Sequence, residues 1–286
     1  VSIKNFIPTV WASELLSSLD KAHVMVNICN RDYEGDIRSY GDTVKINALG
    51  EVTVGNYSPN VTSIAPEQLT AAQTVLEINQ SKYFSFYVDD VDKAQSKPEI
   101  MSEAMRKAAY ALADTADELI AGFYTETGST SLFVSSTALT VATTLDLLAL
   151  AQYNLDKKNV PTQGRWMVIP AWFQAYLTLN KILETEGSVN AEGAYVNGYV
   201  GRAFGFDIYM SNNLSTSNAT NTVNSHYGLA GTKRAISFAE QIVEMEAFRP
   251  EAKFADAVKG LHVYGAKVVD PQSLVTLNIT STALSS

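Results

Sequence analysis

Apolar and polar positions alternate in the first extended stretch of the chain. After Gly41-Asp42, Val44, Ile46 and Ala48 alternate with Thr43, Lys45 and Asn47, and Val52 and Val54 continue the alternation. A period of two turns one set of side chains to a buried face, which predicts a strand. Gly55-Asn56-Tyr57-Ser58-Pro59-Asn60 is turn chemistry. The return strand carries Leu76 and Ile78, then Phe84, Phe86 and Val88 across from Tyr83, Ser85 and Tyr87. Residues 41–90 thus read as one long β-hairpin. A two-stranded arm is marginal alone in water, so it needs a surface to lie against, a neighbouring subunit being one candidate.

Helical spacing dominates elsewhere. Residues 1–40 read as an arm with one short helix, where Trp11, Leu15, Leu16 and Leu19 share a face. A polar, turn-rich stretch from Asn30 to Asp36 follows. Residues 96–126 give the strongest helix. Ser96-Lys97-Pro98-Glu99 has the capping-box pattern, and Met101, Met105, Ala108, Leu112, Ala116, Leu119 and Phe123 form the stripe. About 28 residues would span roughly 40 Å, the length of a spine. A second helix is expected after Thr144 as cap, with Leu145, Leu148, Ala149, Gln152 and Leu155 inward and Asn159 and Pro161 closing it. Trp166-Met167-Val168-Ile169 reads as a short buried strand stopped by Pro170, and Ala171 to Asn180 as helix. Residues 181–205 read as a Gly- and Asn-rich loop, 206–210 as a strand, and 211–225 as a polar mobile loop. Strand patterns resume at Tyr227, break at Arg249-Pro250, and end in one long strand from Gly260 to Val269 with a turn at Asp270-Pro271. No fixed-period repeat is present.

Composition narrows the function. Charged residues are 18% of 286, and Ser, Thr and Asn fill roughly a quarter of the chain. A surface poor in charge suits packing against other subunits, because fewer charges must be desolvated. The net charge of −9 removes the basic footprint of a nucleic-acid reader or an anionic-membrane binder. No run of 18 apolar residues forms a membrane span, and the first residues lack a signal-peptide pattern, so a cytosolic origin is expected. Cys29 is the one cysteine, which excludes an intrachain disulfide and a Cys-based zinc site, and it reads as a buried apolar residue.

Searches for chemistry return little. Gly228-Leu229-Ala230-Gly231-Thr232-Lys233 has the wrong order and spacing for a phosphate loop. Gly198 to Gly205 lacks the close glycine pair of a dinucleotide fingerprint. His23, His226 and His262 are not at metal-ligand spacing, and His262 reads as a structural histidine in a strand. Asp89-Asp90-Val91-Asp92 lacks the Gly and distal Glu of a calcium loop, and Glu184 with Glu186 is a pair that chance supplies. No catalytic residue, metal site or cofactor site is expected.

The order of arm, long hairpin, spine helix and interleaved mixed region resembles the major capsid (coat) protein of tailed bacteriophages, with its Hong Kong 97-type fold. Three strings carry the likeness. Asn30-Arg31-Asp32-Tyr33-Glu34-Gly35 followed by Gly41-Asp42-Thr43-Val44-Lys45-Ile46 is similar to the segment leading into the hairpin. Gly201-Arg202-Ala203-Phe204-Gly205-Phe206-Asp207-Ile208-Tyr209 is similar to a loop leading into an axial-domain strand, and Gly260 to Val269 to a late peripheral-domain strand.

The resemblance implies an α+β fold with four parts: N-terminal arm 1–40, extended β-hairpin loop 41–90, peripheral domain 91–140 with 226–286 including spine helix 96–126, and axial domain 141–225. It implies a virion subunit that assembles into hexamers and pentamers of an icosahedral shell around double-stranded DNA, without sequence-specific binding. A separate scaffolding protein, a portal protein and decoration proteins are the implied partners. Tyr57, Val61, Ile64 and Leu69 near the hairpin tip would be odd exposures on a monomer and are the candidate inter-subunit contacts. The family's Lys–Asn crosslink has no matching residue pair here and is not carried over. The shell of a bacterial nanocompartment, which shares this fold, and an α/β hydrolase-type enzyme are the alternatives.

Overall fold

The computed structural model describes residues 23–33, 41–49, 71–89, 100–126, 130–133, 139–140, 143–180, 199–216, 224–249 and 255–281. Its first strands are β1 (Thr43–Leu49) and β2 (Ala71–Glu77), which pair antiparallel from Thr43 opposite Glu77 to Leu49 opposite Ala71. This is the stem of the expected hairpin. Val44, Ile46 and Leu76 are buried while Thr43, Lys45 and Glu77 are exposed, as the alternation predicts. Residues 50–70 lie outside the described residues, and with them Tyr57, Val61, Ile64 and Leu69.

The return strand departs from expectation at Ile78. Backbone bonds from Gly41 to Ile78 and from Ile78 to Asp42 close the stem. The next strand, β3 (Gln80–Asp89), leaves β1 and pairs with β10 (Ala255–Val268), which also pairs with β9 (Ile236–Phe248). The three form one antiparallel sheet in the order β3-β10-β9. Alternation predicted a strand at β3 but carries no information about its partner.

Behind this sheet lies α1 (Ile100–Ala121), continued by a 3-10 turn over Gly122–Thr125. The proposed cap at Ser96 lies outside the described residues. The buried stripe is Met105, Ala109, Leu112, Ala113, Ala116, Asp117 and Ile120, rotated from the expected one. Its first half packs on Val258, Phe84, Phe86 and Met245 of the three-stranded sheet. Its second half packs on Trp166, Leu229 and Phe238, together with Met25 and Val26 of the N-terminal segment. One helix of about 33 Å therefore holds two sheets together.

The second sheet has six strands in the order β4-β11-β8-β5-β7-β6. These are β4 (Thr130–Phe133), β5 (Arg165–Ile169), β6 (Tyr199–Ala203), β7 (Phe206–Met210), β8 (Asn224–Thr232) and β11 (Leu274–Ser281). β4 runs parallel to β11 and β5 parallel to β7; the other pairs are antiparallel. β8 and β11 thus share one sheet with β5. Every residue of β5 is buried, since Met167 and Ile169 meet one core and Trp166 and Val168 the other. Residues 199–203 were expected in a loop. They form β6 because Phe204 (φ 52°) and Gly205 (φ 76°) make the two-residue turn whose twist matches a hairpin.

Helices α2 (Thr143–Lys157) and α3 (Ala171–Leu179) cover the outer face of this sheet. The cap of α2 is Thr140 rather than Thr144: Thr140 and Thr143 exchange backbone N–H bonds to each other's hydroxyl oxygens, at 2.9 and 3.3 Å. Thr144 is buried and donates its hydroxyl to the Thr140 carbonyl. The inward residues are Leu147, Leu148, Ala151 and Leu155, so Ala149 is exposed. Asn159 (φ 55°) ends the helix, with Val160 N–H bonding Leu155 O and Asn159 N–H bonding Asp156 O. Arg165 is buried beside this end and donates to the carbonyls of Val160 (2.6 Å) and Pro161 (2.9 Å).

Candidate functional site

The hairpin stem and the N-terminal segment grip opposite faces of the three-stranded sheet. On the outer face, Val44, Ile46, Leu76 and Ile78 pack against Ala239 and Val263. Gly265 sits directly under the stem: a Cβ there would lie 2.3 Å from the Glu77 carbonyl oxygen and 3.0 Å from Ile78 Cα. Further along the same face, Tyr83 and Tyr87 of β3 and Phe248 of β9 are exposed. Tyr87 and Phe248 flank Ala257, and Lys259 reaches over the Phe248 ring at 5.3 Å. Tyr110 of α1, Leu150 and Tyr153 of α2 and Leu179 of α3 are exposed as well.

The inner face carries a buried cluster of charges. Asp117 of α1 accepts backbone N–H bonds from Val24 (2.9 Å), Met25 (3.1 Å) and Val26 (3.1 Å). It thereby caps the short 3-10 turn Val26–Ile28 from a distant helix. Asn30 then runs along β9, exchanging backbone bonds of 2.9 Å with Ile236 and Phe238. Arg31 donates to Glu240 of β9 at 2.7 Å. His23 stands between the carboxylates, with Nδ1 3.8 Å from Asp117 and Nε2 3.3 Å from Glu240. His262 of β10 meets Glu240 through Nε2 at 3.0 Å. His23 and His262 are 0% and 1% exposed, so no solvent screens these contacts.

The environment moves the titration of these groups. Burial works to lower His23, but the attraction of Asp117 and Glu240 outweighs it and raises its pKa to about 9. Burial works to raise Glu240, yet His23 and His262 hold its carboxyl well below the usual carboxylate range. Burial pushes the Cys29 thiol well above its usual value, Asp117 adding to the effect, and Cys29 Sγ lies 3.3 Å from the Met25 carbonyl.

Sequence reasoning singled out His262 as a structural histidine and Cys29 as a buried apolar residue, and both are buried in this region. It did not single out His23, Arg31, Asp117 or Glu240 as a group. The available signal was a carboxylate where periodicity asks for an apolar side chain: Asp117 in the stripe of α1 and Glu240 after Ser237-Phe238-Ala239. Gly228 and Gly231 lie in β8, where a Cβ would strike the carbonyls of Val168 (3.0 Å) and Ser273 (2.6 Å), so they serve packing. His226 accepts a 3.1 Å bond from Trp172. Glu184 and Glu186 lie outside the described residues. Among the described residues no three His, Cys, Asp or Glu converge to hold a metal, and no helix is long and apolar enough to cross a membrane.

Residues 71–277 match the family described as phage capsid protein. Along 89% of its length the chain is similar to a structure from Mycobacterium phage Che8, with 29% identity, a TM-score of 0.67 and 90% of that chain covered. It is similar to the capsid of cyanophage P-SCSP1u, with 18% identity, a TM-score of 0.65, and 91% and 89% of the two chains covered. The fold also matches the virus-like particle from Pyrococcus furiosus, at 13% identity, a TM-score of 0.58, and 93% and 96% coverage. No curated protein matches the chain.

Proposed function

Since the chain belongs to the phage capsid protein family, we propose how its parts build a shell. It is a major capsid subunit with the Hong Kong 97-type α+β fold, a structural protein of the virion that assembles with copies of itself. The observation that carries this is the family match over residues 71–277 together with a shared fold along about nine-tenths of the chain.

On our reading, the copies form hexamers and pentamers of an icosahedral head around double-stranded DNA. A separate scaffolding protein and a portal protein are its partners, and decoration proteins bind the finished shell. The subunit carries no enzymatic activity. The parts are the arm 1–40, the extended loop 41–90, the peripheral domain 91–140 with 226–286, and the axial domain 141–225, with β8 and β11 tying the last two into one sheet. Tyr57, Val61, Ile64 and Leu69 contact the next subunit, where apolar side chains gain burial. The net charge of −9 keeps packaged DNA from adhering to the inner wall.

Electron microscopy of the chain expressed alone, then with its neighbouring phage genes, tests the shell reading. Closed shells, tubes or sheets of capsomers support it; a monodisperse monomer or dimer in both settings overturns it. Shell diameter and contents separate a genome-carrying head from a compartment such as the archaeal particle of the same fold. For the tip, Tyr57→Asp and Ile64→Asp should block assembly and leave the subunit soluble. Normal shells from both variants would remove the tip from the interface.

A further inference from the structure

We infer that His23 is a standing imidazolium that helps hold the N-terminal segment to the body of the subunit, and that losing its proton weakens that hold in alkali. The first ground is geometric. Both ring nitrogens of His23 lie within ion-pair distance of a carboxylate, Nδ1 3.8 Å from Asp117 and Nε2 3.3 Å from Glu240, although neither makes a hydrogen bond. A neutral imidazole has one N–H and would turn a lone pair on one of these anions; only the imidazolium has a proton for each.

Charge counting gives the second ground. Asp117 and Glu240 are two negative charges in a region where His23 is 0%, Asp117 3% and Glu240 9% exposed. Arg31 supplies one positive charge, 2.7 Å from Glu240. His262 meets Glu240 alone, through Nε2 at 3.0 Å, with its buried Nδ1 unpartnered, whereas His23 lies within ion-pair distance of both carboxylates. Among the described residues, the remaining neighbours contribute no cation. Cys29 holds its thiol proton, the Tyr264 ring lies 5.0 Å from His262 with its hydroxyl bonded to Thr115, and Phe238 presents its ring 6.3 Å from His23. Among the described residues, a charged His23, close to both carboxylates, balances the cluster, and a buried excess charge is costly.

The direction of the switch follows. His23 has its pKa raised from 6.5 to about 9, so its contribution to docking is complete below 6.5 and is lost as pH rises through about 9. Glu240 is shifted down, so its contribution fails only on the strongly acid side. Between these limits the segment stays seated. Above the upper limit the deprotonated ring leaves the cluster one negative charge in excess. Opening of residues 23–31 admits water to that charge and so becomes more frequent, although it also breaks the three N–H bonds to Asp117, the Asn30 bonds to β9 and the Arg31–Glu240 pair. The switch is a property of the folded subunit, whether or not shells form.

Histidine C2-hydrogen exchange by mass spectrometry on the full chain reads each ring separately. Trypsin places His23 between Lys21 and Arg31, His226 between Arg202 and Lys233, and His262 between Lys259 and Lys267. His23 should titrate near 9. Amide exchange of residues 22–31, corrected for intrinsic rate, should lose protection through the same midpoint while the β5 peptide stays protected. His23→Gln should lower protection at pH 7 by more than about tenfold, because removing one partner of a buried pair leaves a charge uncompensated, and should erase the alkaline step. His262→Gln, whose amide can still donate to Glu240, should keep it. A His23 midpoint at or below 6.5 overturns the inference. So does equal protection of residues 22–31 at pH 7 and 10, or simultaneous opening of β5. If His23→Gln does not fold, the wild-type titration decides alone.

Discussion

Replacing Gly265 by alanine probes the seat of the hairpin stem with a single methyl group. The new Cβ would stand 2.3 Å from the Glu77 carbonyl oxygen and 3.0 Å from both Ile78 Cα and Cδ1. A relaxed carbon–oxygen contact is about 3.3 Å, so the stem has to retreat by about 1 Å. The first obstacle is backbone, and no rotamer relieves it. Full undocking would expose Val44, Ile46, Leu76 and Ile78 at about 1.5–3 kcal/mol each, a total of roughly 6–12 kcal/mol. Overpacking costs about 1–3 kcal/mol, so the stem tilts and stays. Expected destabilisation is therefore about 2–3 kcal/mol, read from the urea midpoint of the soluble subunit. Two other glycines calibrate it. Gly260→Ala meets the Phe84 ring at 2.4 Å, but Phe84 is half-buried and can swing, so the loss should be smaller. Gly122→Ala meets nothing within 4 Å and should be neutral or gain up to about 1 kcal/mol. If Gly265→Ala falls within about 0.5 kcal/mol of wild type, or Gly122→Ala loses as much, the stem is not seated as described.

Three further outcomes are expected. Asp117→Ala strips the acceptor from three backbone N–H groups and should free residues 24–26 to exchange, at a cost of about 3–5 kcal/mol in docking; Asp117→Asn, which keeps one oxygen, should lose less by the same amide-exchange readout. Arg165→Ala orphans the Val160 and Pro161 carbonyls and should cost about 2–5 kcal/mol in thermal or urea unfolding. Arg165→Lys, which cannot fork between the two, should fall between. Cys29 is buried and its thiol is held protonated, so a thiol reagent at pH 8 should label it only after denaturant is added; rapid labelling of the native chain would contradict the packing.

What could be read from the sequence was local. Trp166 to Ile169 announced a buried strand because apolar residues run unbroken up to Pro170, and the β1 alternation matches burial from Thr43 to Ile46. Pairing was illegible. β3 lies beside β10, some 170 residues away, and what admits the Phe84 ring at that junction is the missing side chain of Gly260. Helix faces were misjudged where leucines ring the helix, as at positions 145, 147, 148, 150 and 155. The charge cluster was hidden for another reason. Its members come from four separate elements, and each alone reads as an ordinary polar residue. Only the cost of burying Asp117 and Glu240 without counterions, a three-dimensional quantity, reveals that they belong together.

The six-stranded sheet also sets a clock. β11 is synthesised after every other strand of its sheet, yet it lies in the interior, between β4 and β8. Until it emerges, the two strands beside its place have open edges, and the core lacks Val275, Leu277 and Ile279. A nascent chain can fold its β9–β10 hairpin earlier but cannot close this sheet. Closure of this sheet is thereby tied to the synthesis of β11. For a protein that assembles with copies of itself, this delays the finished surface until β11 has been made.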